Sequence, residues 1–332
     1  MEAPVQKTSA DVEGGKKRYR FIDSVKSATF VIGTAAVVFI AFRNTVTWHA
    51  QNVWGASGDF WQSHWEKFHD WLEGDTYTMG VWGTCATTYG AFWLFNFFFM
   101  AIDLTQPQFL VKYKVQDNTK LERRMFWKAV AVALFNQTVV GIPVILLLYR
   151  LMLVRGCSFG KELPTFPWVV WELFVFIWIE ELGFYYSHRL FHHPKLYKHI
   201  HKMHHEWTAP IGLVAIYAHP IESVVTNSLP MMAGPLLCGS HVATAWLWFM
   251  LGVLSATNAH CGYHLPFFPS PEAHDFHHLK FTNNFGMLGV LDRLHGTDAQ
   301  FRKTKAYERH FMMLSLVPVK ELIPDRAKDK PE

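Results

Sequence analysis

Four stretches of this chain, residues 28–42, 79–102, 126–153 and 168–186, are almost wholly apolar. A run of about 20 such residues is long enough to cross a bilayer. Hydrocarbon offers no water to backbone N–H and C=O groups, so each stretch must satisfy its own hydrogen bonds, which a helix does within one segment. The expected fold class is therefore all-α, a set of multi-pass membrane helices. Charged residues make up only 17% of the 332, as such a chain requires. The first run is short, but no small-residue cleavage site follows it, so it reads as an anchor and not as a signal peptide. Pro143 falls inside the third run and predicts a kink there. A fifth apolar region, 229–256, is interrupted by Ala233-Gly234-Pro235 and Gly239-Ser240-His241 and reads as a broken helical hairpin.

Lysine and arginine near the helix ends set the orientation. Lys16, Lys17, Arg18 and Arg20 precede the first run, and Lys112, Lys114, Lys120, Arg123, Arg124 and Lys128 fill the link between the second and third. Both flanks are expected in the cytosol. The intervening segment 57–77 is net acidic and carries Trp61, Trp65 and Trp71, as a lumenal helix lying in the interface would. Four crossings then return the chain to the cytosol near His188. Cys85, Cys157, Cys238 and Cys261 are scattered and outline no disulfide framework, which suits a reducing compartment. A formal charge of +4, dispersed along the chain, gives no footprint for nucleic acid.

The chain also writes His-x-x-His-His twice, as HKMHH at 201–205 and HDFHH at 274–278. His188 and His192 are four apart, as are His260 and His264. On a helix, residues three and four apart share a face, so each set is expected to aim its imidazoles at one point. Ten imidazoles exceed what one ion can use, and two adjacent metals with about five each account for the number. Imidazole suits iron, copper, nickel and zinc alike, so ligand type does not choose between them. A shared centre also requires the chain between Trp207 and Ala259 to leave and return on one side of the membrane, as a hairpin does. His49, His64, His69 and His241 read as structural, and His193, His199, His219 and His295 as extras around the centre. No Gly-x-Gly-x-x-Gly follows a strand, so electrons for any redox chemistry must come from a partner.

HRLFHH, HKMHHEWTAP, YAHPIE, HCGYH and HDFHHLKFTNNFGMLGVLDRLHGT together resemble the fatty acid hydroxylase superfamily, in particular its sterol C4-methyl oxidase branch, over about residues 170–300. The resemblance implies a membrane anchor under a cytosolic helical cap holding two iron ions, with O2 as co-substrate and zinc as a substitute metal in a purified sample. It implies His188, His192, His201, His204, His205, His260, His264, His274, His277 and His278 as ligands. Implied partners are cytochrome b5 and its reductase, other enzymes of sterol C4-demethylation, and a membrane lipid or sterol substrate, in the endoplasmic reticulum. The chain has Glu180-Glu181 where the family commonly has Glu-Asp, and its first box has the sterol branch's three intervening residues. The expected domains are a leader at 1–24, an anchor at 25–166, a catalytic domain at 167–310 and a tail at 311–332. A fatty acyl hydroxylase and a non-catalytic metal-binding scaffold or carrier are the alternatives.

Metal-bound imidazoles usually donate their second N–H to a carboxylate or carbonyl. Glu181, Asp275, Asp292, His193 and His219 are the expected supporting residues. Phe184, Tyr185, Leu213, Ile216, Trp246 and Phe249, beside the histidine boxes, are the expected lining of a lipid slot. The stretch VKYKVQDNTKLERR either docks an acidic donor or enforces topology. Lys328 and Lys330 resemble a dilysine retrieval signal, which is read only from the cytosol.

Overall fold

A computed structural model describes residues 9–117, 119 and 121–325. Lys328 and Lys330 lie outside the described residues. The chain divides into two compact units, residues 1–64 and 65–332. The first is helical from Ser9 onward and contains the apolar stretch Thr29–Val38 of helix α1 (Ser9–Trp71). The second begins within the last turns of α1 and holds all the other elements. No strand forms among the described residues.

In the second unit, α2 (Thr78–Thr105), α3 (Arg123–Arg155) and α6 (Val242–His260) are the helices long and apolar enough to span a membrane among the described residues. Their ends follow local chemistry. Helix α2 stops at Gln106 in the left-handed conformation ahead of Pro107, and α3 stops at Gly156, φ +77°, where a residue without Cβ pays least. Pro143 lacks an N–H and crowds the preceding turn. The ladder widens into a π-helical segment, Asn136–Gly141, just before it.

The expected fourth span corresponds to α4 (Phe166–Phe191), which is 26 residues long but carries Glu172, Glu180 and Glu181. It is therefore not among the three spans, because its inner face is polar. Glu172 accepts from Ser240 Oγ at 2.7 Å, and Glu181 from three backbone N–H groups. Its outer face exposes Trp168, Trp171, Phe174, Trp178 and Leu182. Helix α4 packs along α5 (Leu229–Cys238), where a Cβ on Gly234 would lie 2.6 Å from the Phe176 ring. Small residues permit this approach.

The hairpin has two equal arms. Residues 220–238 are helical throughout, passing from Pro220–Glu222 through the π-helical Ser223–Ser228 into α5, which ends at Gly239, φ +66°. Helix α6 then runs back against α2. At about 1.5 Å per residue each arm is roughly 28 Å long, so the chain regains the level it left. Trp65 is turned inward, unlike an interfacial tryptophan, and donates its indole N–H to the Gly160 carbonyl at 2.9 Å. The histidine-bearing end is completed by α7 (Glu272–Lys280) and α8 (Val290–His295).

Candidate metal centre

The first box sits at the end of α4, which stops because Pro194 holds His193 in an extended conformation. HKMHH forms a 3-10 segment, His201–Glu206, instead of an α-helix, and HDFHH lies on α7. Nine of the ten expected imidazoles converge in two groups. His188, His192, His201, His205 and His277 form the first, and His204, His260, His274 and His278 the second, with the ligand atoms of each group within 4.8 Å of one another.

Neither triplet aims at a single point, contrary to the helical-face expectation. His201 and His205 enter the first group and His204 the second, whereas His274 and His278 enter the second and His277 the first. The residues four apart stay together and the middle one turns to the other group. The two triplets are thus interlocked in opposite senses.

His264 joins neither group. Its Nε2 lies 2.9 Å from the Phe311 carbonyl and its Nδ1 3.5 Å from Glu272 Oε1. The physical reason is that α6 ends at His260 and Gly262 takes φ +74°, so the four-residue spacing to His264 is not a helical one.

The imidazoles are oriented from behind. His188 Nδ1 donates to the Phe285 carbonyl at 2.8 Å, His204 to Tyr217 at 3.1 Å, His260 to Ala256 at 2.7 Å, His277 to Asn283 at 2.6 Å and His278 to Trp207 at 2.8 Å. His201 Nδ1 faces the buried Glu222 Oε1 at 2.8 Å. With the proton on Nδ1, each Nε2 presents a bare lone pair. Yet these atoms face one another: His188–His201 at 3.1 Å, His205–His201 at 3.0 Å, His192–His277 at 3.2 Å, His260–His204 at 3.3 Å and His274–His260 at 2.9 Å. The buried His278 Nε2 has no protein partner. Lone pairs so opposed repel unless a cation lies among them. Two nitrogens about 2.0–2.1 Å from one ion, at roughly 90–110°, are about 3.0–3.4 Å apart. The donor set therefore fits a metal in each group.

Burial, reinforced by the neighbouring imidazoles, pushes His201, His205, His274, His277 and His278 well below the ordinary imidazole range, and burial pushes His204 down to about 4. All stay neutral at pH 7, the form that ligates. His192 and His274 are half-buried and the other seven buried, so each group is approachable past one imidazole.

The expected supporting residues act differently from the expectation. Asp292 accepts from the N–H groups of Phe285 and Gly286 at 2.8 and 2.7 Å. Glu181 accepts from Met287, Leu288 and Leu291 at 2.9, 2.9 and 3.2 Å. Neither touches an imidazole. Together they pin the turn whose Asn283 and Phe285 carbonyls orient His277 and His188. Asp275 points away and accepts from Gln116 Nε2 at both carboxylate oxygens, 3.1 and 3.0 Å, while the same amide reaches the Thr208 carbonyl at 2.8 Å. His193 and His219 cap short helices, each Nδ1 accepting the N–H two residues on, and His241 caps α6 in the same way. His295 stacks on Tyr185. Glu222, inside YAHPIE, and the backbone carbonyls were the orienting groups that residue-type reasoning missed. A polar residue among apolar ones was the available signal for Glu222, and carbonyls leave none.

The expected slot residues are mostly core. Leu213 and Ile216 pack with Phe92 and Phe126, Trp246 and Phe249 with Met79, and Tyr185 with Phe285. Phe184 alone of the six has its ring beside a converging imidazole, 5.0 Å from His188. None of the six lines the cavity of about 290 Å³ bounded by Asp103, Lys114, Glu206, Trp207, Cys261 and Tyr263. That cavity shares Trp207 with His278 and sits beside His260 through Cys261.

The sequence profile of the fatty acid hydroxylase family matches residues 173–297. Fatty acid hydroxylase domain-containing protein 2 of Macaca fascicularis is 47% identical over 92% of this chain and 92% of its own. A very-long-chain aldehyde decarbonylase of Oryza sativa subsp. indica is 36% identical over 59% of this chain and 77% of its own. A methylsterol monooxygenase of Arabidopsis thaliana is 32% identical over 62% and 84%. No solved structure matches the chain.

Proposed function

Since this chain belongs to the fatty acid hydroxylase family, whose members are generally oxygenase-type enzymes, we propose that it is a membrane-embedded sterol C4-methyl oxidase. It would use two iron ions and O2 to take a sterol 4-methyl group stepwise through alcohol and aldehyde to the carboxylate. The observation that carries the reading is the pair of all-imidazole groups with opposed lone pairs. Iron bound there supplies the redox chemistry that oxidising an unactivated C–H bond demands and that side chains lack.

The chain's own residues would hold the ions, fix their surroundings and keep water out. The five imidazoles of the first group and four of the second are the ligands. The Nδ1 donations and Glu222 hold the ring orientations. Phe184 and Phe285 shield His188, with Phe285 also 5.0 Å from His192. The substrate would approach from the bilayer past His192 or His274. Electrons would come from cytochrome b5 and its reductase, with the 112–124 link as a docking surface, and the protein would reside in the endoplasmic reticulum with the histidine end in the cytosol.

A fatty aldehyde or acyl substrate is the second reading, favoured by the aldehyde decarbonylase relative. Protein in lipid nanodiscs, given cytochrome b5, its reductase, NADH and O2, should convert a 4-methylsterol to its 4-hydroxymethyl and 4-carboxyl products. Shortened hydrocarbon from a long-chain aldehyde, or hydroxyacyl product with the sterol untouched, would replace the sterol reading. His204→Ala and His277→Ala, which each remove one ligand from a different group, should each lower turnover at least ~100-fold while the helical content is kept.

A further inference from the structure

The tenth histidine of the boxes has both ring nitrogens engaged away from the two imidazole groups. His264 is 1% exposed, and its own N–H donates to the Tyr113 carbonyl at 2.8 Å. Its Nε2 meets the Phe311 carbonyl at 2.9 Å, and its Nδ1 faces Glu272, the first residue of the helix that carries His274, His277 and His278. Phe311 belongs to a C-terminal strap laid over this end of the molecule. Phe267 N donates to the Met313 carbonyl at 2.7 Å, Tyr113 Oη to Leu316 at 2.6 Å, and Lys320 Nζ to Asp117 at 2.7 Å. Arg309 closes the strap on itself through the Ile323 carbonyl and Asp325, at 2.6 and 2.7 Å. Met313 and Val319, within the strap, are buried.

We infer that His264 is a clamp and not a metal ligand: it fastens the strap, residues 309–325, to the start of α7 and so holds three ligating imidazoles in register. It is a positioning residue. The clamp uses an N–H at each ring nitrogen, Nε2–H donating to the strap at the Phe311 carbonyl and Nδ1–H directed at the carboxylate of Glu272 that opens the ligand helix. The sequence spacing His-x-x-x-His suggests a ligand, but the turn at Gly262 has taken the residue out of the helix. The inference rests on the two-ion reading and on nothing about substrate, so zinc-loaded protein suffices to test it.

Ligand and clamp separate under substitution, because an amide can donate to a carbonyl but makes a poor replacement for a coordinating imidazole. In the full-length protein, loaded with zinc in detergent, His264→Gln should keep the wild-type content of two ions per chain. His274→Gln, the reference ligand variant, should lose one. Limited proteolysis is the second readout: His264→Leu should be cut within 309–325 about tenfold faster than wild type, and His264→Gln should stay near wild type. If His264→Leu does not fold, His264→Asn, whose shorter amide falls short of Phe311, serves the same comparison. Loss of an ion from His264→Gln to the extent seen for His274→Gln would overturn the clamp, and so would unchanged strap cleavage in the Leu or Asn variant. A wild-type content below two ions would count against the two-ion reading instead, and the cleavage comparison would still decide the clamp.

Discussion

Each converging imidazole is a base held neutral by its burial, and that gives the site a direction of pH sensitivity. In the unfolded chain these rings titrate near 6.5, whereas His204 is held down to about 4 and its neighbours below the ordinary range by burial. As pH falls through 6.5 the unfolded chain takes up protons that the folded chain refuses. The stability these residues contribute is therefore complete above about pH 6.5 and is lost on acidification toward the folded values, on the order of 3 kcal/mol for His204 alone. The stability of metal-free wild type relative to His204→Ala, by chemical unfolding in detergent, should be flat above pH 7 and fall between 6.5 and 4; the comparison cancels the buried carboxyls of Asp275 and Glu222, which burial pushes up and which titrate with the opposite sign. A rise in that window would contradict neutral burial. Glu222→Gln should weaken metal retention against a chelator about 10- to 100-fold, because His201 loses the carboxylate behind it.

At the scale of elements, the turn between α7 and α8 owes its shape to two carboxylates that accept from its backbone, Asp292 also taking the Thr297 hydroxyl at 2.6 Å. A Cβ on Gly286 would lie 2.9 Å from Glu181 Oε1 and 3.0 Å from Asp292 Oδ2. Gly286→Ala should therefore cost about 1–3 kcal/mol, and Asp292→Asn about 1.5–3 kcal/mol through weakened charged hydrogen bonds. Both should lower the metal affinity of the first group more than the second, because the Phe285 and Asn283 carbonyls shift; thermal unfolding and metal titration would check this. This turn also marks where the sequence stops being legible. The spans 79–102 and 126–153, the hairpin and the nine converging histidines follow from hydropathy and spacing, since both signals are periodic and local. The assignment of the middle triplet residue to the opposite group does not, because it depends on a 3-10 segment and on how two distant elements face each other. Nor does the release of His264, which a single left-handed glycine decides. Acidity marks out Glu181 and Asp292 in the sequence, but the groups they hold in this turn are backbone N–H groups, which no residue type announces.

For the whole molecule, the basic link and the imidazole groups lie at one end. Lys128 pairs with Glu206 at 2.6 Å, Gln116 reaches Asp275, and Lys114 bridges to Tyr263. If that end faces the cytosol, a cysteine placed at exposed Arg124 should react with a membrane-impermeant maleimide in sealed microsomes, and one at exposed Glu162 only after permeabilisation. The reverse pattern would invert the topology. The crossed triplets carry a further consequence for how the centre is filled. Because HKMHH and HDFHH each contribute to both groups, an ion that enters one group also immobilises the segments from which the other is built. The ordering cost is met largely by the first arrival, so the second should bind more tightly, a positive linkage between two sites of one chain. Native mass spectrometry of half-saturated protein should then show empty and doubly loaded chains in excess over singly loaded ones, and a statistical distribution would mean that the two triplets move independently.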